Sequence, residues 1–328
     1  MPAPVRLGIV GLGKMGLHHV RCARRARGVE LVATTDSDPA AAARLDDASS
    51  FVGDLDAFLE RCDAVILAVP TNRHEELGVR VLEANRHLLV EKPLARTTAE
   101  CVRLSRAAEE RSLVLAVGHV ERMNGAYRAV AGRVRSPRFV EGHRLAAFDP
   151  RGTEVDVVLD LMIHDLDLIL DVFRAEPVRV DAVGVPVLTD RVDIANVRLE
   201  FQGGALANLT ASRVSRTAVR KLRLFQNDSY LSLDFQTQTA EIYSRDANAA
   251  PWGVTREALA SSEDHNPLVV EHEEFAKAIR GEPSTLPSAR DGARAVHLAE
   301  RILASIEERS ARWHGSAMET GPWVDAPS

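Results

Sequence analysis

Cysteine is scarce in this sequence of 328 residues, which contains only Cys22, Cys62 and Cys101. The three are odd in number, widely spaced and placed in segments with a helical pattern. Disulfide frameworks use even numbers of cysteines, and zinc sites need cysteine or histidine pairs at short spacing. We therefore expect buried, reduced thiols, and neither disulfides nor a metal site.

Long apolar runs are also missing, although apolar residues make up 45% of the chain. No run approaches the roughly 18 residues of a membrane-spanning helix. Residues 1–4 lead into the first strand-like run without the pattern of a signal peptide. We expect a soluble, cytoplasmic protein without membrane contacts, whose length favours two domains.

Clustered positive charge and aromatic residues are scarce as well. The 41 basic residues are outnumbered by 47 acidic ones, which gives a net charge of −6, and aromatics make up 5%. Because nucleic-acid-binding surfaces need clustered positive charge, commonly with aromatics, we expect no nucleic-acid partner. Four of the basic residues are lysines. In an arginine-rich chain, a lysine can mark a position that requires an ammonium group.

The first strand-like run, residues 6–10, opens onto Gly11, Gly13 and Gly16 and then onto a helical segment. In a dinucleotide-binding loop the first glycine makes the turn, the second lets the pyrophosphate approach the backbone, and the third lets helix pack on strand. The helix N-terminus offers N–H groups and partial positive charge to the phosphates. The alternative is a flexible loop. The strand and helix around the motif favour a dinucleotide site.

Asp36 ends a second strand-like run, residues 31–35, and lies 20 residues after Gly16. This is the position of the carboxylate that binds the adenosine ribose. A carboxylate accepts hydrogen bonds from both ribose hydroxyls but repels a 2′-phosphate, and Ser37 and Asp38 provide no arginine to neutralise one. The sequence therefore predicts NAD rather than NADP.

Two later runs, residues 64–69 and 87–90, are apolar throughout, which is typical of strands buried in a parallel sheet. Ligands bind outside the carboxyl ends of such strands, so the residues that follow each run are candidates for cofactor contacts. Thr71 and Asn72 could also cap the following helix, which is compatible with a ligand contact. The alternative for Lys92 is a surface lysine beside Glu91, but its place at the carboxyl end of a strand favours a functional role. The predicted cofactor contacts are Gly11, Gly13, Lys14, Met15, Gly16, Asp36, Ser37, Pro70, Thr71, Asn72, His74 and Glu91.

The alternation of strands and helices fades near residue 122, where we place the domain boundary. Residues 1–122 are predicted to form a doubly wound parallel sheet of the Rossmann type. Residues 123–328 show apolar–polar alternation typical of antiparallel strands with one covered face, and are predicted to form an α+β domain with an open, mostly antiparallel sheet. Its main helices are expected at 157–173, 266–280 and 288–309. Residues 244–262 are predicted to form a long loop, and the tail beyond Trp313 is weakly specified.

Asp160 and His164 lie four residues apart in the first of these helices, so both side chains can project from one face. A carboxylate at this spacing can orient an imidazole and stabilise its cation, as a general base requires. The alternative is a surface histidine in an ordinary ion pair. Spacing alone does not decide between them.

The chain resembles the Gfo/Idh/MocA oxidoreductases over nearly its whole length. The resemblance is carried by the glycine loop, by residues 69–72 with His74, by Glu91-Lys92-Pro93, and by the Asp160-to-Asp165 motif around His164. It implies a Rossmann domain followed by an open-sheet domain, NAD as cofactor, and Lys92, Asp160 and His164 as catalytic residues without a metal. Members of the family commonly form dimers or tetramers through the second sheet, so the resemblance also implies a homodimer or homotetramer.

Within the family, residues 118–124 and 160–167 look most like those of members that oxidise UDP-N-acetylglucosamine at C3. The resemblance implies that His164 accepts the hydroxyl proton of a ring alcohol, that Asp160 supports the imidazolium, and that Lys92 hydrogen-bonds the same oxygen. The sequence departs from the pattern at Gly125, where proline is expected.

Two other functions remain open, a dehydrogenase of free inositol or an aldose, and a sugar-sensing regulator without turnover. A UDP substrate requires cations for its diphosphate, although arginines in an arginine-rich chain can equally be ordinary surface residues. The predicted substrate contacts are Arg122, Asn124, Arg213 and Arg216.

Overall fold

Five apolar strands form a parallel sheet in the first part of the computed structural model, which describes residues 2–149, 155–246, 248, 253–262 and 265–315. The strand order is β2-β1-β3-β4-β5, and every pairing is parallel. The order reverses between β1 and β3, which is where open α/β sheets bind ligands. The strands are β1 (Val5–Val10), β2 (Val29–Thr35), β3 (Ala64–Leu67), β4 (His87–Glu91) and β5 (Leu115–Gly118).

Four helices connect these strands and cover the sheet. Two of them, α2 and α4, begin at a side-chain cap: Asp54 accepts a hydrogen bond from the N–H of Ala57, and Thr97 accepts one from the N–H of Glu100. Such caps satisfy backbone donors that the first helical turn leaves unpaired. The helices are α1 (Lys14–Ala23), α2 (Leu55–Arg61), α3 (His74–Glu83) and α4 (Thr98–Glu109).

A second sheet of eight strands follows, in the order β13-β12-β11-β10-β6-β9-β8-β7. Among the described strands of this second sheet, only β6 and β9 pair in parallel. The two sheets confirm the predicted fold class. The strands are β6 (Phe139–Leu145), β7 (Arg179–Val185), β8 (Ile194–Glu200), β9 (Leu206–Ser212), β10 (Val219–Phe225), β11 (Ser229–Asp234), β12 (Thr239–Arg245) and β13 (Val254–Ala260).

One face of this sheet is covered by helices α5 (Gly125–Val130), α6 (Ile163–Phe173) and α8 (Ala289–Gly315). Alternate residues of the strands, such as Val197 and Leu199 of β8, are buried in the resulting core. A short π-helix, Val158–Met162, precedes α6, so the predicted helix over 157–173 has an irregular first turn.

The prediction of a long loop over 244–262 is wrong, because β12 continues to Arg245 and β13 pairs with it in antiparallel register. β13 is an edge strand with almost every side chain exposed. Its sequence consequently lacks the apolar–polar alternation by which a half-buried strand is recognised. The third predicted helix also runs further, to Gly315, and the rest of the predicted tail lies outside the described residues.

Helices α7 (Pro267–Ile279) and α8 follow the second sheet in the chain but pack against the first one. Phe275 of α7 is buried with Leu7 and Ile9 of β1. Val296 of α8 is buried in the other core of the parallel sheet, while Ile302 of the same helix is buried in the core of the second sheet. α8 therefore joins the two halves of the molecule.

The three cysteines are free and buried. Burial raises the pKa of Cys62 and of Cys101 to about 12, which keeps both as unreactive thiols at neutral pH. Within the described residues, no helix is both long and apolar enough to cross a membrane.

Glu271 of α7 is fully buried, and neither of its carboxyl oxygens has a hydrogen-bond partner among the described residues. Burial, together with the charge of Glu91, raises the pKa of Glu271 well above its ordinary value. The folded protein therefore holds a neutral carboxyl that ionises in the unfolded chain above about pH 4.3. Its burial costs stability increasingly as the pH rises from there toward the folded pKa.

We predict that Glu271→Gln stabilises the protein more at about pH 8 than at about pH 4.5, because glutamine keeps the shape and cannot ionise. Urea unfolding at both pH values measures the difference, with Glu282→Gln at an exposed position as the control. An equal effect of Glu271→Gln at the two pH values would contradict the prediction.

Candidate active site

The glycine loop between β1 and α1 has room for a pyrophosphate at one position. Gly11 has φ +94°, and a Cβ there would lie 2.3 Å from the carbonyl oxygen of Ala68. A Cβ on Gly16 would lie 1.7 Å from the carbonyl oxygen of Gly11, whereas a Cβ on Gly13 would meet nothing within 4 Å. No side chain caps the N-terminus of α1. The loop is thus closed where glycine makes the turn and open where a phosphate would approach the helix.

Asp36 lies beside this loop at the end of β2. Its Oδ2 accepts a hydrogen bond of 2.6 Å from the N–H of Leu12, and its Oδ1 accepts one of 2.9 Å from Asp38. The carboxylate is half-buried, so part of it can face a ligand, and it fits the ribose of NAD. Lys14, Met15 and Ser37 are exposed around the same loop.

Arg44 also reaches the loop, which the sequence did not indicate because the residue is distant from the motif. Its side chain donates to the carbonyl oxygen of Leu12 over 3.3 Å and lies 3.7 Å from the carboxylate of Asp38. A cation is therefore present near the adenosine end of the site, although the carboxylate of Asp36 lies where it would repel a 2′-phosphate.

The segment after β3 lies at the carboxyl edge of the sheet, with Pro70 and Asn72 exposed and Thr71 half-buried. His74 has an internal role instead. It is fully buried, and its ring nitrogens lie 2.8 Å from the carbonyl oxygen of Pro93 and 2.9 Å from that of Val69. Burial lowers the pKa of His74. The predicted cofactor contact of His74 is not supported, because the ring holds the loop after β3 against the end of β4.

Glu91 is likewise buried and turned away from solvent. One of its oxygens lies 2.7 Å from Nε2 of His19 on α1, and the other accepts a 3.0 Å hydrogen bond from the N–H of Lys92. Nδ1 of His19 lies 2.9 Å from Nε2 of His272 on α7. The side chain of Glu91 therefore fixes the end of β4 to two helices, and its predicted cofactor contact is not supported.

Lys92 projects from the end of β4 toward the helix that carries Asp160. Its Nζ donates to the backbone oxygen of Asp160 over 2.6 Å and to Oδ1 over 3.2 Å. Both side chains are partly exposed, at 22% and 28%. The predicted pairing of Asp160 with His164 is not present as a hydrogen bond: within the described residues, the carboxylate of Asp160 bonds to Lys92 instead.

His164 lies in the first turn of α6, beside this ion pair. Burial lowers its pKa well below the ordinary value, and the charges of Lys92, of Arg144, of His119 when it is protonated, and of Arg220 lower it further. The imidazole is consequently neutral at physiological pH and able to accept a proton. Lys92, Asp160 and His164 thus lie together in one region.

A buried ion cluster supports the helix behind His164. Arg144 of β6 donates hydrogen bonds of 2.8 and 3.0 Å to Asp165 and one of 2.7 Å to Glu121. All three side chains are buried, so the cluster binds α6 to β6 and to the segment after β5. Because the guanidinium of Arg144 is held between two carboxylates, it restricts the orientation of α6. The cluster thereby fixes the position of His164, the residue that precedes Asp165.

Three of the four predicted substrate contacts have internal partners. Arg122 donates hydrogen bonds of 2.6 and 2.7 Å to Asp167, Arg213 bonds to Asp193 over 2.8 Å, and Asn124 caps α5 through the N–H of Ala126. All three side chains are also largely buried. Their predicted roles as substrate ligands are not supported. Arg216 is exposed, as a ligand of a charged substrate must be.

Gly125 occupies a position where the family resemblance leads one to expect proline. Its N–H donates to the side chain of Gln238 over 3.2 Å, and a Cβ there would lie 2.3 Å from Cβ of Ser261. Proline would lose the donor and clash with Ser261, so this contact accounts for the glycine.

Two residues near His164 were not among the predicted site residues. Arg220 of β10 pairs in register with Arg144 and is exposed, and its side chain has no hydrogen-bond or ion-pair partner within the described part of the chain. His119 follows β5, and its ring lies 6.5 Å from that of His164. Arg220 belongs to no recognisable motif and reaches the site only through the register of the second sheet. His119 lies in the family-like segment 118–124, but the resemblance assigned it no role.

Comparison with known proteins agrees with this geometry. Residues 5–119 match the family model described as an oxidoreductase family with an NAD-binding Rossmann fold, and residues 121–230 match the Gfo/Idh/MocA C-terminal domain. UDP-N-acetylglucosamine 3-dehydrogenase of Acidithiobacillus ferrooxidans is 36% identical over 92% of this chain and 97% of its own. Its solved structure superimposes with a TM-score of 0.86, at 35% identity, over 94% of this chain and 99% of that one.

More distant relatives act on other sugars and polyols. Inositol 2-dehydrogenase of Rhizobium meliloti is 28% identical over 93% of this chain and 98% of its own. A levoglucosan dehydrogenase solved with NADH and levoglucosan has a TM-score of 0.82 over 93% of this chain and 98% of that one, but at 18% identity it supports the fold alone.

The two-domain fold and the open glycine loop define an NAD-binding oxidoreductase. The chain belongs to the Gfo/Idh/MocA family and is an NAD-dependent dehydrogenase.

We predict that Asp36→Ala lowers kcat/KM for NAD by about 10-fold to 100-fold, because it removes a charge-assisted hydrogen bond to the ribose. Removing the carboxylate also lets Arg44 approach a 2′-phosphate, so the variant should gain activity with NADP. Steady-state kinetics with both cofactors measure the change. The double variant Asp36→Ala/Arg44→Ala is the control, and an equal gain with NADP there would contradict the role of Arg44.

Proposed function

We propose that this dehydrogenase oxidises a ring secondary alcohol of a nucleotide sugar, UDP-N-acetylglucosamine at C3, to the 3-keto sugar. The observation that carries the proposal is the grouping of Lys92, Asp160 and neutral His164 at the carboxyl edge of the parallel sheet. An ammonium and a neutral imidazole near one point are what alcohol oxidation needs.

The chemistry follows from these side chains. NAD, when bound, accepts the hydride from the alcohol carbon. His164 takes the hydroxyl proton as the carbon–hydrogen bond breaks, and Lys92 donates a hydrogen bond to the same oxygen and stabilises its developing negative charge. Asp160 holds the ammonium of Lys92 in place, a role different from the one expected for it.

The nucleotide sugar is favoured over a free polyol by two observations. The nucleotide-sugar dehydrogenase matches at 36% identity and the full-length inositol dehydrogenase at 28%. In addition, Arg220 is an unpaired, exposed cation beside His164, where a free polyol would offer it no negative group, and Arg216 lies near it in the chain.

Oxidation of free inositol remains the second candidate because inositol dehydrogenases match the chain over almost its whole length. A non-catalytic sugar sensor is disfavoured, since a sensor has no need for a lysine, an aspartate and a neutral histidine grouped at the cofactor edge. We also propose that the chain forms a homodimer or homotetramer through the outer face of the eight-stranded sheet, where Arg198, Glu200 and Lys221 lie.

The proposed reaction is tested by incubating the protein with NAD and a panel of UDP-N-acetylglucosamine, myo-inositol and glucose. We expect NADH formation with UDP-N-acetylglucosamine, and loss of at least about 100-fold in hydride transfer for His164→Ala and Lys92→Met with NAD binding intact. Isothermal titration with UDP alone separates the two substrate classes, because an inositol enzyme should release no heat. Normal rates in both variants would refute the catalytic roles.

The diphosphate is expected to bind Arg220. Arg220→Gln should raise KM for UDP-N-acetylglucosamine by about 10-fold to 100-fold, because it removes one charge-assisted hydrogen bond to the diphosphate. Arg223→Gln is the matched control, because Arg223 lies on the opposite face of the same strand and pairs with Glu141 at 3.2 Å. If the two variants have the same KM, the diphosphate binds elsewhere.

A further inference from the structure

His119 is a buried histidine at the centre of the proposed site without an assigned role. It directly follows Gly118 of β5, which pairs in register with Glu91 of β4, the residue before Lys92. Only 1% of His119 is exposed. The strand register therefore places His119 and Lys92 at the same edge of the parallel sheet, and the charge of Lys92 acts on the ring of His119.

Neither ring nitrogen of His119 has a hydrogen-bond partner among the described residues. A buried polar atom without a partner destabilises the folded state, so folded proteins rarely keep one without a reason. Nδ1 of His164 is in the same condition, buried and unpartnered. The two neighbouring histidines together thus have three buried ring nitrogens without a hydrogen-bond partner among the described residues.

The two rings face each other edge to face, with centroids 6.5 Å apart and planes at 78°. No direct hydrogen bond joins them, but the separation suits a single bridging water, with hydrogen bonds of about 2.8 Å to each ring. Such a water would satisfy Nδ1 of His164 and one nitrogen of His119 together.

The geometry points to His119 as the positioning residue that keeps the proton of His164 on Nδ1, through one water, so that Nε2 is free to accept the substrate's hydroxyl proton. The inference rests on the proposed role of His164 as general base. It assigns to His119 the orienting function that a carboxylate commonly performs, which Asp160 does not perform here because it bonds to Lys92.

The charged groups around both rings are compatible with this role. His164 is surrounded by Lys92, Asp160, Arg144, Arg220 and Asp165 from five different segments. His119 is influenced by Arg122, Lys92, Asp167 and Asp291, whose opposing charges leave burial as the main cause of its lowered pKa. A neutral His119 can offer a lone pair, and its interaction with the Nδ1 proton grows when His164 becomes cationic.

The test compares His119→Phe, which keeps a ring of similar size, with His119→Asn and His119→Gln, which keep hydrogen-bonding groups. We expect His119→Phe to lower kcat at least about tenfold with NAD affinity unchanged. The acidic limb of its kcat/KM profile should move to lower pH, because the His164 cation loses a stabilising partner. Asn or Gln should restore part of the rate.

His164→Ala separates the inference from the proposed function. If His164→Ala is active, the general base is another group and the proposed function's chemistry fails. If His164→Ala is inactive while His119→Phe has the wild-type rate and pH profile, only the role of His119 is overturned. An equal loss in all three His119 variants together with weaker NAD binding would likewise overturn it, as a packing role predicts.

Discussion

The ion pair between Lys92 and Asp160 is the contact on which the arrangement of this enzyme depends. Lys92 ends a strand of the dinucleotide-binding sheet, and Asp160 lies in the π-helix beneath the second sheet, so their hydrogen bonds cross between the two halves of the molecule. The two charges are only partly exposed, and separating them would leave a half-buried ammonium without compensation. The pair thereby holds the ammonium at the carboxyl edge of the parallel sheet.

Three further constraints hold the surroundings of this pair in place. Glu91 and His19 attach the end of β4 to the glycine-loop helix. Arg144 binds Asp165 and fixes the start of α6. Helix α8 packs into the cores of both sheets and so limits how far one half can move against the other. The two polar contacts are buried, which makes them stiff because a buried charge or polar group cannot exchange its partner for water. The site is therefore preorganised by internal ion pairs, while the groups left to face a ligand are few.

The sequence was sufficient for the fold class and for the residues of the motifs, because glycine spacing, apolar strand runs and the lysine and histidine motifs are local signals. It was insufficient wherever partners are distant in the chain. Arg122 and Arg213 were expected to bind a diphosphate, but carboxylates far along the chain occupy them. The hydrogen bond between Lys92 and Asp160 joins residues 68 positions apart in the chain, and the exposed edge strand β13 lacks alternation. Arg220 reaches the site only through strand register.

The central claim is that this site transfers hydride from C3 of a nucleotide sugar. It is tested most directly by incubating the enzyme with NAD and UDP-N-acetylglucosamine that carries deuterium at C3, followed by mass spectrometry of the reduced cofactor and the sugar. The account predicts one deuterium in the NADH and a 3-keto sugar product. Unlabelled NADH, or no reduced cofactor with this substrate while myo-inositol is oxidised, would contradict it.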